Sequence, residues 1–531
     1  MGAGKRIVLG TSATWLGQAV GIGARLILMP ILFRFLPREE LGLWFLIGGS
    51  SAFVGLMDLG FSRTFKRYVA FAKGKTSSDP DREISEATRQ EIADILATGR
   101  FFYSVLALFV FALAWTTGFY FLRALDVSTE MRRVLWLAWT IMCAGHAVGV
   151  WGKFLTFLIQ GMGDVAQATF IGILLSLVGF LASVTVVISG HGLVGLAAVG
   201  GVMGVMSRAI LHVYVRRRYP TIVRLNGVAR LSVLRPMVRP ALRVWVVWLG
   251  TFLVLRTDDY FIAWFRGASD LPDYRIAYVL VMNMYVAAMA VAMVSNVFVS
   301  QAFQAGDWSV VRRLVLRSVR AGLALMVAGV AVVATMGDGI FHTWLGGGHF
   351  VGWLVLWTFC LMLTLECQHM ILSNACVATN DIPFAPWAIA AGILNIVFTL
   401  LLIRPLGLWG VALATMFAQL LTNNWYGVWR SLRRLRIPLR YYARTVALPV
   451  GIQFLVAAAG SYGIRRLVFA PWARIVGALG WSGFLCSLML WFGTLGAKER
   501  GRIATIAVNY AGFLFGPRKL PSVSPADESD I

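Results

Sequence analysis

Charge is what this chain has least of. Only 14% of its 531 residues are Asp, Glu, Lys or Arg, against about 25% in soluble domains. An ordinary soluble globular protein is excluded. Acidic residues are scarcest, 24 against 48 basic ones. Five cysteines, Cys143, Cys360, Cys367, Cys376 and Cys486, lie inside apolar runs without metal-ligand spacing. They read as small buried hydrophobes, and no metal site is expected. No GxxxxGK[ST] is present, so there is no P-loop ATP motor. Neither GxSxG nor HExxH occurs. The alternating segments of about ten residues that build membrane barrels are missing too.

Apolar residues fill the gap, at 59% of the chain. They come in runs of about 20, each long enough as helix for about 30 Å of hydrocarbon. The expected fold is therefore an all-α polytopic membrane protein with fourteen spans. The first is 7–33, the second 41–61, the fourth 133–159, the seventh 242–265 and the tenth 350–378. The last two are 445–468 and 475–496. Between spans the basic residues are one-sided. With the N-terminus in the cytoplasm, 33 of the 48 fall in inside segments, 10 in outside loops and five within spans. Both termini are expected in the cytoplasm. The net charge of +24 sets topology and faces anionic headgroups, and no nucleic-acid partner is expected. The start MGAGKR leads into an uncleaved first span, because no cleavage site follows. Arg6 stands where myristoylation needs Ser or Thr.

The chain is written twice. Gly192-Leu193-Val194-Gly195-Leu196-Ala197 precedes the sixth span, and Gly407-Leu408-Trp409-Gly410-Val411-Ala412 precedes the twelfth. Each follows a span containing Gly-Ile-Leu and leads to an arginine-rich stretch. Two six-helix lobes in parallel pseudo-twofold repeat follow. The expected division is an N-lobe 1–218, a cytoplasmic linker 219–241, a C-lobe 242–436, two C-terminal helices within 437–496 and a tail 497–531. Asp79-Pro80-Asp81 signals a helix start. Ile84, Thr88, Ile92 and Ile95 then share a face, as in an amphipathic helix on the headgroups. The tail from Pro517 reads as disordered.

Polar residues inside spans mark the candidate site, because a charge there costs about 2.5–3.5 kcal/mol on insertion scales. At 100° per residue, Thr11, Thr14, Gln18, Gly21 and Arg25 form one stripe of the first span. His146, Lys153, Thr156 and Gln160 form another in the fourth, and Glu366, His369 and Ser373 a third in the tenth. In the seventh, Arg256, Asp259 and Tyr260 share a face while Asp258 points away. Arg25 and Arg256 occupy equivalent places in the two repeats, each about 13 Å below the outer interface by helix rise. A planar guanidinium suits phosphate oxygens, and two can clamp a pyrophosphate. The expected substrate-binding residues are Arg25, Arg256, Lys153, Gln18 and Tyr260. The expected coupling or gating residues are Asp259, Asp58, Glu366, His369 and His146, with Asp259 holding Arg256 between cargoes. Snorkelling or internal pairing is the rival use of the arginines and of Lys153. An interhelical hydrogen bond is the rival use of the histidines and Glu366. No resident cofactor is expected; H+ or Na+ is the candidate coupling ion.

Three stretches carry a resemblance. LMDLGFSRTFKRYVA (Leu56–Ala70) is similar to the segment entering the first large cytoplasmic loop of bacterial polysaccharide flippases. RTDDYFIAWFRGASDLPDYRIAYVL (Arg256–Leu280) looks like their seventh-to-eighth hairpin. The Gly-Leu-x-Gly-x-Ala turns match their internal repeat. Together they resemble the Wzx-type lipid-linked oligosaccharide flippases of the multidrug/oligosaccharidyl-lipid/polysaccharide exporter superfamily. That resemblance implies a multidrug-exporter-like pair of lobes with alternating access. It also implies an undecaprenyl-pyrophosphate-linked oligosaccharide as cargo, a bacterial inner-membrane address, and glycan-assembly membrane proteins as neighbours. The alternatives are a cation-coupled multidrug exporter of the same superfamily, a membrane enzyme of glycan assembly and a non-transporting scaffold. Central arginines oppose the first. Outside loops of about ten residues or fewer oppose the second.

Overall fold

The computed structural model describes residues 3–76, 85–379, 384–467, 470–493 and 500. They are helical, with no strand among them. The first half runs α1 (Ala3–Phe35), α2 (Arg38–Leu56), α3 (Phe61–Thr76), α4 (Glu86–Arg123), α5 (Thr129–Trp151), α6 (Lys153–Gly161), α7 (Val165–Ile188), α8 (Gly192–Arg218) and α9 (Pro220–Val223). The second runs α10 (Leu231–Leu255), α11 (Asp258–Phe265), α12 (Leu271–Gln304), α13 (Trp308–Leu345), α14 (Trp353–Ala378), α15 (Ala385–Gln419), α16 (Trp425–Arg434) and α17 (Leu439–Tyr442). α18 (Leu448–Arg465) and α19 (Pro471–Gly493) close the bundle, packed on α13. We call the end where α1 begins the basic face and the opposite end the far face.

Ten described helices are long and apolar enough to cross a bilayer, or eleven if the bent pair α2–α3 counts as one span. This is a multi-pass membrane protein. The expected count of fourteen is not reached on that measure, and the differences fall at breaks. The fourth span divides at Gly152 into α5 and α6. The second bends by 46° between α2 and α3, where Leu59 (φ 52°) and Gly60 (φ 76°) turn left-handed. For a leucine that turn costs about 1–2 kcal/mol. Residues 385–434 form one long helical run kinked at Gly407. The seventh expected span is two helices, α10 and α11, broken at Arg256 and Thr257.

The repeat survives at the level of the backbone. Gly192 (φ 49°) and Gly407 (φ 59°) both adopt the left-handed conformation that glycine takes freely. Three residues on, a Cβ at Gly195 would fall 2.2 Å from Val186, and one at Gly410 would fall 2.1 Å from the Leu402 carbonyl. Both turns therefore need both glycines.

The amphipathic segment before the third span does not stand alone. It forms the first turns of the 38-residue α4, capped by Ser85. Thr88, Ile92 and Ile95 are buried in protein rather than laid on headgroups. Val228 N–H donates to Asp94 at 2.9 Å, and Arg230 N–H donates to Thr98 at 3.1 Å. The segment 219–241 is thereby fastened to α4. Asp79-Pro80-Asp81 and Ile84 lie outside the described residues, as does the expected tail apart from Arg500.

Two apolar clusters show where the halves meet. One joins Leu32, Leu41 and Leu46 of α1 and α2 to Ile262, Leu271 and Ile276, and continues through α13 and α14. The other holds Phe65, Tyr103, Phe157 and Leu158 with Met237 and Ala241 of α10, and stays on the basic-face side of the first half. Through α10 the second cluster also joins the halves, and the first welds them toward the far face. Gly42 of α2 allows this, since a Cβ there would sit 1.7 Å from the Ala268 carbonyl oxygen. Polar contacts seal the same end. Arg38 pairs with Asp273 at 2.6 Å and donates to the Gly348 carbonyl at 2.6 Å. His349 Nδ1 lies 3.2 Å from Asp273. Within the first half, Glu40 accepts from Leu193 N–H at 2.5 Å, placing a carboxylate at the N-terminus of α8.

Candidate functional site

Arg25 projects from an unbroken stretch of α1. It is exposed, and its Nε donates to the Gly21 carbonyl at 3.1 Å. It has no carboxylate within ion-pair distance among the described residues. Its face can be fixed from its neighbours. Gly17 packs on Ile173 and Thr169 of α7, and the Leu26 carbonyl accepts from Trp344 Nε1 of α13 at 3.1 Å. At about 100° per residue, Gln18, Gly21 and Arg25 fall between those two contacts. Leu16 and Ile27, 50% and 59% exposed, lie on the opposite, lipid-facing side. The stripe therefore looks into the space between α7 and α13, one helix from each half. The side chains of Thr11 and Thr14 lie outside the described residues.

Arg256 occupies the break itself. α10 ends with Arg256 N–H bonded to the Phe252 carbonyl at 3.0 Å, and α11 starts at Asp258. The break has an identifiable cause. A helix end leaves carbonyls without partners. Here the Asn395 amide of α15 donates to those of Leu253 and Val254, at 3.1 and 3.2 Å. The two aspartates that follow sit at the N-terminus of α11, where negative charge is favoured. Asp258 is buried and accepts from Tyr274 OH at 2.9 Å and from Thr415 Oγ1 at 3.0 Å, with Asn395 Nδ2 at 3.4 Å.

Asp259 does not hold Arg256 in an ion pair. It pairs with Arg275 of α12, Nη1 to Oδ1 at 3.5 Å. The expected register assumed a continuous helix, and the break removes it. Asp259 is only 1% exposed, and neither of its oxygens accepts a hydrogen bond. It lies against Gly49 of α2, where a Cβ would come within 3.3 Å of Oδ2. Half-buried Arg256 lies within electrostatic range of Arg275, Tyr278, Asp259 and Tyr260. Two guanidinium groups thus share one carboxylate at the junction of the halves. Tyr260 faces Phe121 edge-on, with ring centroids 5.5 Å apart.

Lys153 and Asp58 meet each other. Lys153 Nζ lies 3.0 Å from Asp58 Oδ1. The same carboxylate accepts from Ser62 Oγ at 2.7 Å, Ser62 N–H at 3.1 Å and Tyr103 OH at 2.9 Å. The pair ties the α2–α3 break to the start of α6. Glu366 and His369 share a face of α14. Glu366 Oε2 has no hydrogen-bond partner, while His369 Nδ1 lies 3.3 Å from Ser373 Oγ and against Gly427 of α16. His146 stands apart on α5, its Nε2 buried without a partner.

Sequence reasoning missed Arg275, Tyr274, Asn395 and Thr415, and set Asp258 aside. Arg275 alone carried a signal, being one of five basic residues within spans. The others are ordinary polar residues until the fold gathers them around the break.

The sequence matches the family described as "Polysaccharide biosynthesis protein" over residues 7–303, more than half of the chain. No curated protein matches it. Solved structures do. The lipid II flippase MurJ in an inward closed conformation aligns with a TM-score of 0.68 at 12% identity, over 91% of this chain and 98% of its own. An inward-facing multidrug resistance MATE family transporter of the MOP superfamily aligns with a TM-score of 0.64 at 14% identity, over 79% and 94%. A MOP superfamily transporter from Pyrococcus furiosus aligns with a TM-score of 0.54 at 14% identity, over 82% and 96%. Its binding pocket is described as being of reverse polarity, suggesting a different function. At these identities the likeness shows the fold, which is that of MOP superfamily transporters.

Proposed function

Because the chain belongs to the polysaccharide biosynthesis protein family, we propose that it is a flippase that moves an undecaprenyl-pyrophosphate-linked oligosaccharide from the cytoplasmic to the periplasmic leaflet. The lobes 1–218 and 242–436 rock about the segment 219–241, exposing the space between them to each side in turn. The basic face is cytoplasmic, as the distribution of Lys and Arg requires, and the address is a bacterial inner membrane. The pyrophosphate enters between the lobes while the polyprenyl tail stays in lipid. Spans 13 and 14 border this path, and other glycan-assembly proteins supply the cargo and receive it.

The observation that carries this reading is the pair of guanidinium groups at the α10–α11 break. Arg275 pairs with Asp259, while Arg256 lies within electrostatic range of both and makes no ion pair of its own among the described residues, so its guanidinium stays open to an anion where the halves join. Exposed Arg25 adds a second cation on a face turned away from lipid. Planar guanidinium groups are the residue of choice for a diphosphate. The same fold serves drug exporters, but a cationic drug is repelled by such a site. Coupling to H+ or Na+ uses the buried acids. Asp258, with the oxygens of Asn395, Thr415 and Tyr274 around it, offers the hard-oxygen set that small cations take. Glu366, His369 and His146 suit proton transfer.

Complementation of a flippase-deficient strain tests the clamp. Arg256→Ala and the Arg25→Ala/Arg256→Ala double variant are expected to lose complementation at wild-type membrane abundance. Full activity in both single variants and in the double would remove the arginine clamp and leave the family assignment standing. Drug resistance without glycan export would favour the exporter reading.

A further inference from the structure

Away from the junction of the halves, the basic face holds a second concentration of charge. Arg312, Arg313, Arg317 and Arg320 of α13 and Arg436 of the α16–α17 turn line one cavity of about 610 Å³. Ser309, Tyr441 and Gly493 complete its rim. No carboxylate is among the described lining residues. Arginines this close along one helix repel one another and weaken it.

Three observations point to an anionic ligand. First, the Nε atoms of Arg312 and Arg320 are buried without an acceptor, although Arg320 Nη1 donates to the Gly493 carbonyl. Buried polar atoms are rarely left so. Second, Arg436 is held in the left-handed region at φ 52°. Its N–H bonds the Arg433 carbonyl at 3.2 Å, and Ile437 N–H bonds that of Leu432 at 2.9 Å, closing the end of α16. Glycine or asparagine is the usual residue there, so an arginine at this position is kept for its side chain. Third, the cavity follows α13, a helix long and apolar enough to cross a bilayer. Arg312 to Arg320 spans about 12 Å of helix rise, enough to reach more than one phosphate. Leu316, Ile437 and Pro438 also line the cavity, and Leu439, next in the chain, is 67% exposed, an apolar side for chains entering from the bilayer.

We infer that this cavity binds the headgroup of an anionic phospholipid carrying two phosphates, drawn from the leaflet at the basic face. The phosphates sit among the guanidinium groups and accept bidentate hydrogen bonds from their fork-shaped donors. The acyl chains lie along the apolar rim. This site includes neither Arg25 nor Arg256, and it stands whether or not the flippase reading does. Its occupant spans α13, the α16–α17 turn and the end of α19, and so ties the two C-terminal helices to the second half.

The test uses the purified full chain, with native mass spectrometry and lipid-dependent thermal shift as readouts. The probes are diphosphatidylglycerol, phosphatidylcholine and inorganic pyrophosphate. Diphosphatidylglycerol is expected to bind in preference to phosphatidylcholine and to raise the melting temperature. An arginine at a membrane surface changes affinity about fivefold. Arg436→Gly should therefore weaken diphosphatidylglycerol binding about fivefold, and Arg312→Ala/Arg313→Ala about twentyfold or more. Glycine accepts the left-handed backbone, so the lipid-free melting temperature of Arg436→Gly should hold or rise; that separates lost binding from lost folding. Equal binding of the two lipids overturns the inference, as does undiminished binding by both variants. Pyrophosphate binding as tight as diphosphatidylglycerol, and lost in the same variants, would make this a site for a soluble diphosphate and overturn the lipid assignment.

Discussion

Replacing Lys153 by methionine keeps most of the side chain's volume and removes the one cation from the Asp58 cluster. Breaking a fully buried ion pair costs about 3–5 kcal/mol. Here the Lys153 side chain is 24% exposed and that of Asp58 10%, so water reaches the carboxylate in part. Asp58 also keeps its bonds from Ser62 and Tyr103. The expected loss is therefore smaller, about 2–3 kcal/mol. Asp58→Asn should lose a similar amount, because its amide presents a donor where Ser62 and Tyr103 also donate. The double variant should recover about 1–2 kcal/mol against the sum of the singles. Thermal unfolding of the purified variants reads the cycle, and complementation reads transport beside it. If Lys153 also meets the cargo when the pair opens, the double variant regains stability without regaining transport. Strictly additive single losses, or a stable Lys153→Met, would show that the pair contributes nothing and would refute the reasoning.

Three further outcomes follow from the geometry. Asn395→Ala strips the partner from the Leu253 and Val254 carbonyls and should destabilise the protein by about 1–3 kcal/mol in thermal unfolding. Arg38→Ala removes the bonds to Asp273 and Gly348; a cysteine at Thr257 should then be labelled from the far side about two- to fivefold faster, the range set by a partly exposed pair. Asp307 caps α13 by accepting from Val310 and Ser309 N–H, both at 3.1 Å, and these bonds, Val310's foremost, hold its pKa below the ordinary carboxylate value. The cap's protection is therefore full above the unfolded pKa of about 3.9 and lost as pH falls through the lower folded value; hydrogen exchange of the first α13 amides should separate wild type from Asp307→Ala at neutral pH and converge in strong acid.

What could be read from the sequence was what recurs or what is locally costly. The Gly-Leu-x-Gly-x-Ala turns were legible because both uses need the same backbone: a left-handed glycine, then a close approach three residues on. Charges within spans were legible because lipid penalises them. Lateral neighbours were not. Asp58 and Lys153 each stood out as a charge inside a span, yet that does not say that two helices touch, and the two residues are 95 positions apart in the sequence. The α10–α11 break was hidden for a related reason. Residues 242–265 are apolar enough to read as one helix, and the group that satisfies the broken end is Asn395, far along the chain on α15. Asp259 was assigned to the wrong arginine as a direct consequence.

The two candidate clamp residues show how far a duplicated sequence diverges in use. Arg25 lies on a continuous helix, exposed, with its guanidinium turned back to its own carbonyl at Gly21. Arg256 caps a broken helix, half-buried, with a second arginine and one carboxylate beside it. Coulomb energy depends on that difference. Two unit charges 4 Å apart interact by about 1 kcal/mol in bulk water and about 4 kcal/mol at an effective dielectric constant of 20. A phosphate reaching Arg256 gains from the second regime, and it relieves the repulsion from Arg275 at the same time. A phosphate reaching Arg25 stays closer to the first. The two arginines are therefore unequal partners, and Arg256→Ala should impair complementation more than Arg25→Ala does. Asp259 makes its one ion pair with Arg275 and accepts no hydrogen bond, so an anion arriving at the break would compete with it for the guanidinium groups. On the proposed mechanism, cargo binding and the α2–α11 contact at Gly49 would involve the same carboxylate, and loading the site would loosen the seam between the halves.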